Sequence, residues 1–174
     1  MDNNHIILKR GDITQSNSDA IVNAANVTLL GGGGVDGAIH RTAGTGLLKE
    51  CKALPDIDGV RCPVGEARIT KAGRLKCQYV IHTVGPNYFS DSNPPYHLEQ
   101  AYRSSLSLAL QMDLSSISFP AISCGVYGYP LEEAAYIALM TCCESQYKSL
   151  QVFFYLFDQA LFDIYDNTYR QLKN

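Results

Sequence analysis

Four consecutive glycines, Gly31 to Gly34, sit inside the stretch NAANVTLLGGGGVDGAIHRTAG that runs from Asn23 to Gly44. Such a run is costly to order, so it is useful where main chain must pass close to something that a side chain would exclude. Successive backbone N–H groups leading into a helix attract phosphate or other anions. Gly32-Gly33-Gly34-Val35-Asp36-Gly37 formally matches GxGxxG. A dinucleotide fingerprint, however, follows its strand at once and has an acid about 20 residues on. Here Asn26 to Leu30 intervene, and Asp56 and Asp58 fall in a loop with Pro and Gly. No Lys-Ser or Lys-Thr closes the glycines, which removes the P-loop. What remains is backbone suited to approach a phosphate or a ribose.

A second loop of the same character, SCGVYGYP from Ser123 to Pro130, follows an apolar strand and precedes a helix. Gly125 and Gly128 permit unusual backbone angles, so its N–H groups can converge on an anion. Two such loops at neighbouring strand ends would suit a diphosphate. Cys124 as a nucleophile is the rival there, but no arginine follows at phosphatase spacing and AISCG is not the GxSxG elbow. Asp36 sits where a helix begins, which by itself describes an N-cap, and His40 lies four residues on, on the same helix face. Asn23 and Asn26 are ordinary turn formers by type, Asp12 suits the cap of a turn over Thr14 to Asn17, and His82 in VIHTV reads as a strand histidine.

The elements that must hold these residues follow from periodicity and breakers. HIILKR, DAIVNAA, GEARIT, QYVIHTVG, SISFPAIS and LQVFFYLF read as strands. GAIHRTA, ending at Gly44, and GLLKECKAL, closed by Pro55, read as helices. Longer helices are expected over Tyr96 to Met112, over PLEEAAYIALMTCCESQ with Pro130 in its first turn, and from Asp158 to Leu172. Continuous apolar strands imply burial on both faces. The expectation is a three-layer α/β/α domain with a mixed, mostly parallel sheet over residues 1–174, and a ligand beyond the carboxyl ends of the strands.

Composition bounds the partners. The chain has 174 residues, 46% hydrophobic, and 14 basic against 17 acidic residues give a net charge of −3. Without clustered Lys and Arg, binding to a nucleic-acid backbone is not expected. The N-terminal apolar stretch is too short for a signal peptide, and no run approaches the roughly 18 apolar residues of a membrane span. The six cysteines form no CxxC pair and lack the paired spacing of a zinc site, so free thiols, a cytoplasmic location and a monomer are expected.

GDI at Gly11 to Ile13, IVNAAN, GGGGVDGAIHRTAG, VIHTVGP and SCGVYGYP, in this order, resemble the macrodomain family, and within it the MacroD-type ADP-ribose hydrolases. The resemblance implies that Asp12 accepts a hydrogen bond from the adenine amino group, that Ile13 offers its backbone N–H, and that Phe157 packs on the adenine. It implies that Ser123, Cys124, Gly125, Val126, Tyr127 and Gly128 hold the diphosphate, mostly through backbone N–H groups. Many members of the family it resembles carry Thr or Ser where this chain has Cys124, a weaker donor. Gly33, Gly34 and Val35 would pass beneath the distal ribose, Asn26 would orient its hydroxyls and Asn23 would brace the loop. Asp36 would position water or act as general base, with His40 tuning it. DQALF after Phe157 lacks an asparagine expected in this branch.

The reaction so implied is hydrolysis at the distal ribose of ADP-ribosyl esters: mono-ADP-ribose on Asp or Glu of proteins, and O-acetyl-ADP-ribose. It calls for no metal or redox cofactor. The competing activities are an ADP-ribose reader without catalysis, an ADP-ribose 1″-phosphate phosphatase and, more remotely, a dehydrogenase.

Overall fold

A computed structural model describes residues 3–174. Six strands form one sheet: β1 (Ile6–Arg10), β2 (Ala20–Ala24), β3 (Ala67–Lys71), β4 (Tyr79–Thr83), β5 (Ser116–Phe119) and β6 (Gln151–Leu156). Their spatial order is β1-β6-β5-β2-β4-β3, and every neighbouring pair is parallel except the antiparallel β3–β4 edge. Five helices accompany them: α1 (Gly34–Ala43), α2 (Thr45–Ala53), α3 (Pro94–Gln111), α4 (Leu131–Cys142) and α5 (Gln159–Lys173). The expected three-layer α/β/α architecture is the one found. No helix of the described residues is long and apolar enough to cross a membrane.

Alternation along the strands sorts the side chains into two cores. Val22, Ile81, Phe119 and Phe154 face Leu98, Tyr102 and Leu106 of α3, Ala135 and Leu139 of α4 and Tyr165 of α5. On the opposite face Ile21, Val80 and Val84 meet Ile39 of α1 and Leu47 and Cys51 of α2. The helix after β2 and the helix after β5 thus lie on opposite faces, although β2 and β5 are neighbours. Adjacent strands whose connections part in this way leave a crevice at their carboxyl ends.

Some expectations are corrected. Helix α1 begins at Gly34, three residues ahead of GAIHRTA, and takes in Asp36. Strand β5 ends at Phe119, since Pro120 has no N–H to continue the ladder. Pro130 is the N-cap of α4 rather than a first-turn residue. Burial on both faces holds for β2, whereas β6 alternates half-buried and buried residues. The outward Phe153 and Tyr155 of β6 carry Lys9, whose Nζ lies 4.8 and 5.9 Å from the two ring centres. All six cysteines are free.

Candidate functional site

Four of the loops singled out in the sequence leave the carboxyl edge of the sheet. Asp12 follows β1, Phe157 follows β6, Ser123 to Gly128 follow β5, and Asn26 to Gly34 follow β2. In space these strands stand in the order β1, β6, β5, β2, so their ends span three strand spacings, about 14 Å. The crevice between β2 and β5 lies at one end of this row.

The loop after β2 is stiffened from within. Asn26 Nδ2 donates to the Gly31 carbonyl (3.0 Å), and its Oδ1 accepts from Thr28 N and Oγ1 (3.1 and 2.6 Å). Bracing, expected of Asn23, falls to Asn26. A Cβ on Gly33 or Gly34 would meet nothing within 4 Å, so these residues border open space. Gly32 and Gly37 are needed for another reason. A Cβ on Gly32 would sit 3.1 Å from Asp36 Oδ2 and 3.4 Å from Asn26 Nδ2, and one on Gly37 would sit 2.6 Å from the Gly32 carbonyl oxygen. Removing both side chains lets the loop fold down onto the first turn of α1. That turn has no side-chain cap, so its leading N–H groups stay free to meet an anion.

Asp36 is the third residue of α1, not its cap; Gly33 holds the cap position. Its side chain turns inward and is only 4% exposed. Asn23 Nδ2 donates to Asp36 Oδ1 at 2.8 Å, and His40 Nε2 lies 3.4 Å from the same oxygen. Burial pushes the Asp36 carboxyl above its ordinary value, while the Asn23 hydrogen bond and the proximity of His40 pull it back. Asn23 Nδ2 also lies 3.2 Å from His82 Nδ1. Asn26, Asp36 and His40 are therefore brought together around Gly32, with Asn23 behind them.

After β5, Ser123 takes a positive φ of 65° and its Oγ donates to the Pro86 carbonyl (2.8 Å), tying this loop to the one after β4. The set of N–H groups expected to face a diphosphate narrows. Cys124 N and Gly128 N donate to carbonyls of Ala121 and Gly125 within the loop. The N–H groups of Gly125, Val126 and Tyr127 have no protein acceptor among the described residues. Cys124 Sγ points at the Ile122 carbonyl (3.5 Å), and burial pushes this thiol up to about 12, which leaves it without thiolate character. Val126 is 95% exposed. Phe89 lies over Gly128, where any Cβ would collide with its ring.

At the far end, Asp12 caps a short 3-10 turn over Ile13–Gln15, accepting from Thr14 N and Thr14 Oγ1 through Oδ1 (2.9 and 2.8 Å). The turn that stood as the alternative to base recognition is thus present, and it fixes the carboxylate at the end of β1. Phe157 is 77% exposed and not a core residue. Asp158 beside it caps α5 through Leu161 N (2.8 Å).

Residues 22–138 match the Macro domain family profile. A macro domain-containing protein of Vibrio parahaemolyticus is 53% identical over 168 residues, which cover 97% of this chain and 99% of that protein. The chain belongs to the macrodomain family. An O-acetyl-ADP-ribose deacetylase of Citrobacter koseri is 48% identical over 170 residues, covering 95% and 96% of the two chains. Among solved structures, the Oceanobacillus iheyensis macrodomain with ADP superposes with a TM-score of 0.91 at 43% identity, covering 97% of this chain and 91% of that one. A Trypanosoma brucei macrodomain in complex with ADP-ribose gives 0.84 at 45% identity, covering 94% and 68%.

Sequence reasoning missed several parts of this macrodomain site. Gly32 and Gly37 lie within the glycine-rich run, yet only their contacts distinguish them from Gly33 and Gly34. His82 read as a plain strand histidine, because nothing in one sequence puts it opposite Asn23, as the β2–β4 register does. Phe89 carried no signal.

Proposed function

We propose that this macrodomain binds ADP-ribose along the carboxyl edge of its sheet and hydrolyses esters at the distal ribose. Its substrates are O-acetyl-ADP-ribose and mono-ADP-ribose linked to Asp or Glu of proteins. The observation that carries this is the buried Asp36 carboxylate, held by Asn23 and His40 beside two side-chain-free glycines at an uncapped helix start. A reader needs the cleft; it does not need a desolvated carboxylate at the distal end.

In this account the adenine lies between Asp12, Ile13 and Phe157 at the β1–β6 end. The diphosphate spans Gly125 to Tyr127 and the start of α1, and the distal ribose rests over Gly33, Gly34 and Val35 with Asn26 at its hydroxyls. Asp36 then orients a water and takes its proton. Its upward shift brings its basicity closer to the operating pH, which strengthens a general base. The free N–H groups of α1 stabilise negative charge as it develops.

Asp36→Ala tests the assignment. With O-acetyl-ADP-ribose and with a glutamate-linked mono-ADP-ribosylated protein, cleavage is expected to fall at least about 100-fold, the usual worth of a general base. Affinity for ADP-ribose is expected to stay within about threefold, because the carboxylate contributes little to the ground state. Cleavage within twofold of wild type would contradict the role of Asp36; binding without cleavage by the wild type would make the protein a reader.

A further inference from the structure

Behind Asp36 runs a buried polar file across three strands. Asn23 of β2 and His82 of β4 are paired residues in register, and Thr70 of β3 reaches His82 diagonally, the register partner of His82 on β3 being Arg68. All three are buried, Asn23 and His82 completely. Asn23 Nδ2 lies 2.8 Å from Asp36 Oδ1 and 3.2 Å from His82 Nδ1, and His82 Nε2 lies 2.9 Å from Thr70 Oγ1.

The hydrogens in this file can be assigned. An amide nitrogen carries two donors and the amide oxygen none. Turned the other way, Asn23 would set its oxygen against the carboxylate. Both donors of Nδ2 are therefore used, one to Asp36 and one to His82, so Nδ1 accepts and the imidazole proton sits on Nε2, facing Thr70. Asn23 Oδ1, by contrast, is buried without a hydrogen-bond partner. That leaves Asn23 with a reason to flip whenever Asp36 takes up a proton, because the acid could then donate to Oδ1. A flipped Asn23 would hold Asp36 in the protonated form.

We propose that His82 is a positioning residue for Asp36: by accepting from Asn23 through Nδ1, it locks the amide with its N–H toward the carboxylate and so keeps Asp36 an acceptor. The inference rests on the ester-hydrolase function proposed above. A second feature makes the lock dependable. Burial first, and His40 second, hold the His82 imidazole down at about 3, so no imidazolium forms near neutrality to reverse its polarity. The other groups facing Asp36 do not provide this lock. His40 on the same helix acts through charge at 3.4 Å, and Cys51 of α2 lies on the Nε2 side of His82, with its thiol pushed up to about 11. Arg61 acts on Cys51 and places its guanidinium on the Thr28 carbonyl.

Two substitutions separate positioning from simple packing. His82→Asn puts an amide oxygen near the Nδ1 position and gives up Thr70; His82→Gln reaches Thr70 and offers no acceptor to Asn23. In the pH–rate profile of ester cleavage, His82→Gln is expected to move the acid limb up by about one pH unit, the scale of one lost hydrogen bond to a charged group. Well below the wild-type acid limb it should lower kcat by up to about tenfold with KM within about twofold, the pattern of an interaction that matters after substrate is bound. His82→Asn should restore both toward wild type. Equal losses in the two variants, or an unmoved acid limb in His82→Gln, would overturn the proposal. The tautomer is read on the wild type by 15N NMR: a proton on Nε2 supports it, and one on Nδ1 overturns it whether or not the protein cleaves esters. If the wild type cleaves neither ester, the function fails. The lock is then judged by that tautomer and by the Asp36 carboxyl titration in the two variants.

Discussion

Asp36 gains its character by turning inward from the first turn of α1. An exposed acid at that place would do no more than complement the helix dipole. Here it is desolvated, held by Asn23, and closely covered by Gly32, where a Cβ would sit 3.1 Å from its Oδ2. Gly33 tests the other half of the glycine argument. Since a Cβ there meets nothing, Gly33→Glu is expected to fold normally, with a melting temperature within about 2 °C of wild type, as for surface changes. The same variant should lose ADP-ribose affinity by at least about 100-fold, because its side chain projects into the proposed ribose floor. Titration calorimetry beside thermal unfolding checks this, and retained affinity would contradict the placement of the ribose. At this scale the sequence was informative about which residues gather, and poor about what they touch. The shared helix face of Asp36 and His40 was legible from helical spacing, whereas Phe157 was singled out only by the family resemblance. That Asn26 rather than Asn23 braces the loop, and that Asn23 holds Asp36, were not legible, because they depend on which way each amide faces.

Among the elements, the site owes its form to parallel strands and to α1 and α4, which start without side-chain caps. β1, β6, β5 and β2 run parallel, so their carboxyl ends share one edge, and the chain leaves β2 and β5 toward opposite faces. Two residues in the loops that follow, Leu29 and Ser123, hold positive φ angles of 58° and 65°, which side chains other than glycine rarely adopt. Such strain persists where surrounding contacts fix it, here the burial of Leu29 and the Ser123–Pro86 hydrogen bond. The number and order of elements could be read from apolar periodicity. Their ends were less legible: α1 starts early because glycine needs no capping side chain to enter a helix, a start that a search for Ser, Thr, Asp or Asn passes over. The half-open outer face of β6 escaped for a different reason. FFY looks apolar throughout, and only the sheet order shows that α1 and α2 cover the other end.

For the whole molecule, the polar file makes stability and site inseparable. His82 is held near 3 in the folded chain and returns to about 6.5 when unfolded. The unfolded state therefore binds the extra proton between these values. The contribution is complete above about pH 6.5 and is lost as pH falls toward about 3. Asp36 has the opposite sign, since its folded carboxyl holds a proton more readily than the unfolded one. Comparison with His82→Asn isolates the histidine: between pH 7 and pH 4 the wild-type melting temperature should fall more steeply than that of the variant, and parallel curves would contradict a neutral, buried His82. The central claim is that one elongated cleft along the carboxyl edge holds ADP-ribose, and amide NMR during titration with ADP-ribose tests it most directly. The account predicts large shifts confined to Asp12 and Ile13, Gly32 to Asp36, Gly125 to Tyr127 and the residues around Phe157. Shifts centred instead on the polar groove between α3 and β3, around Arg68, Gln100 and Ser104, would contradict it.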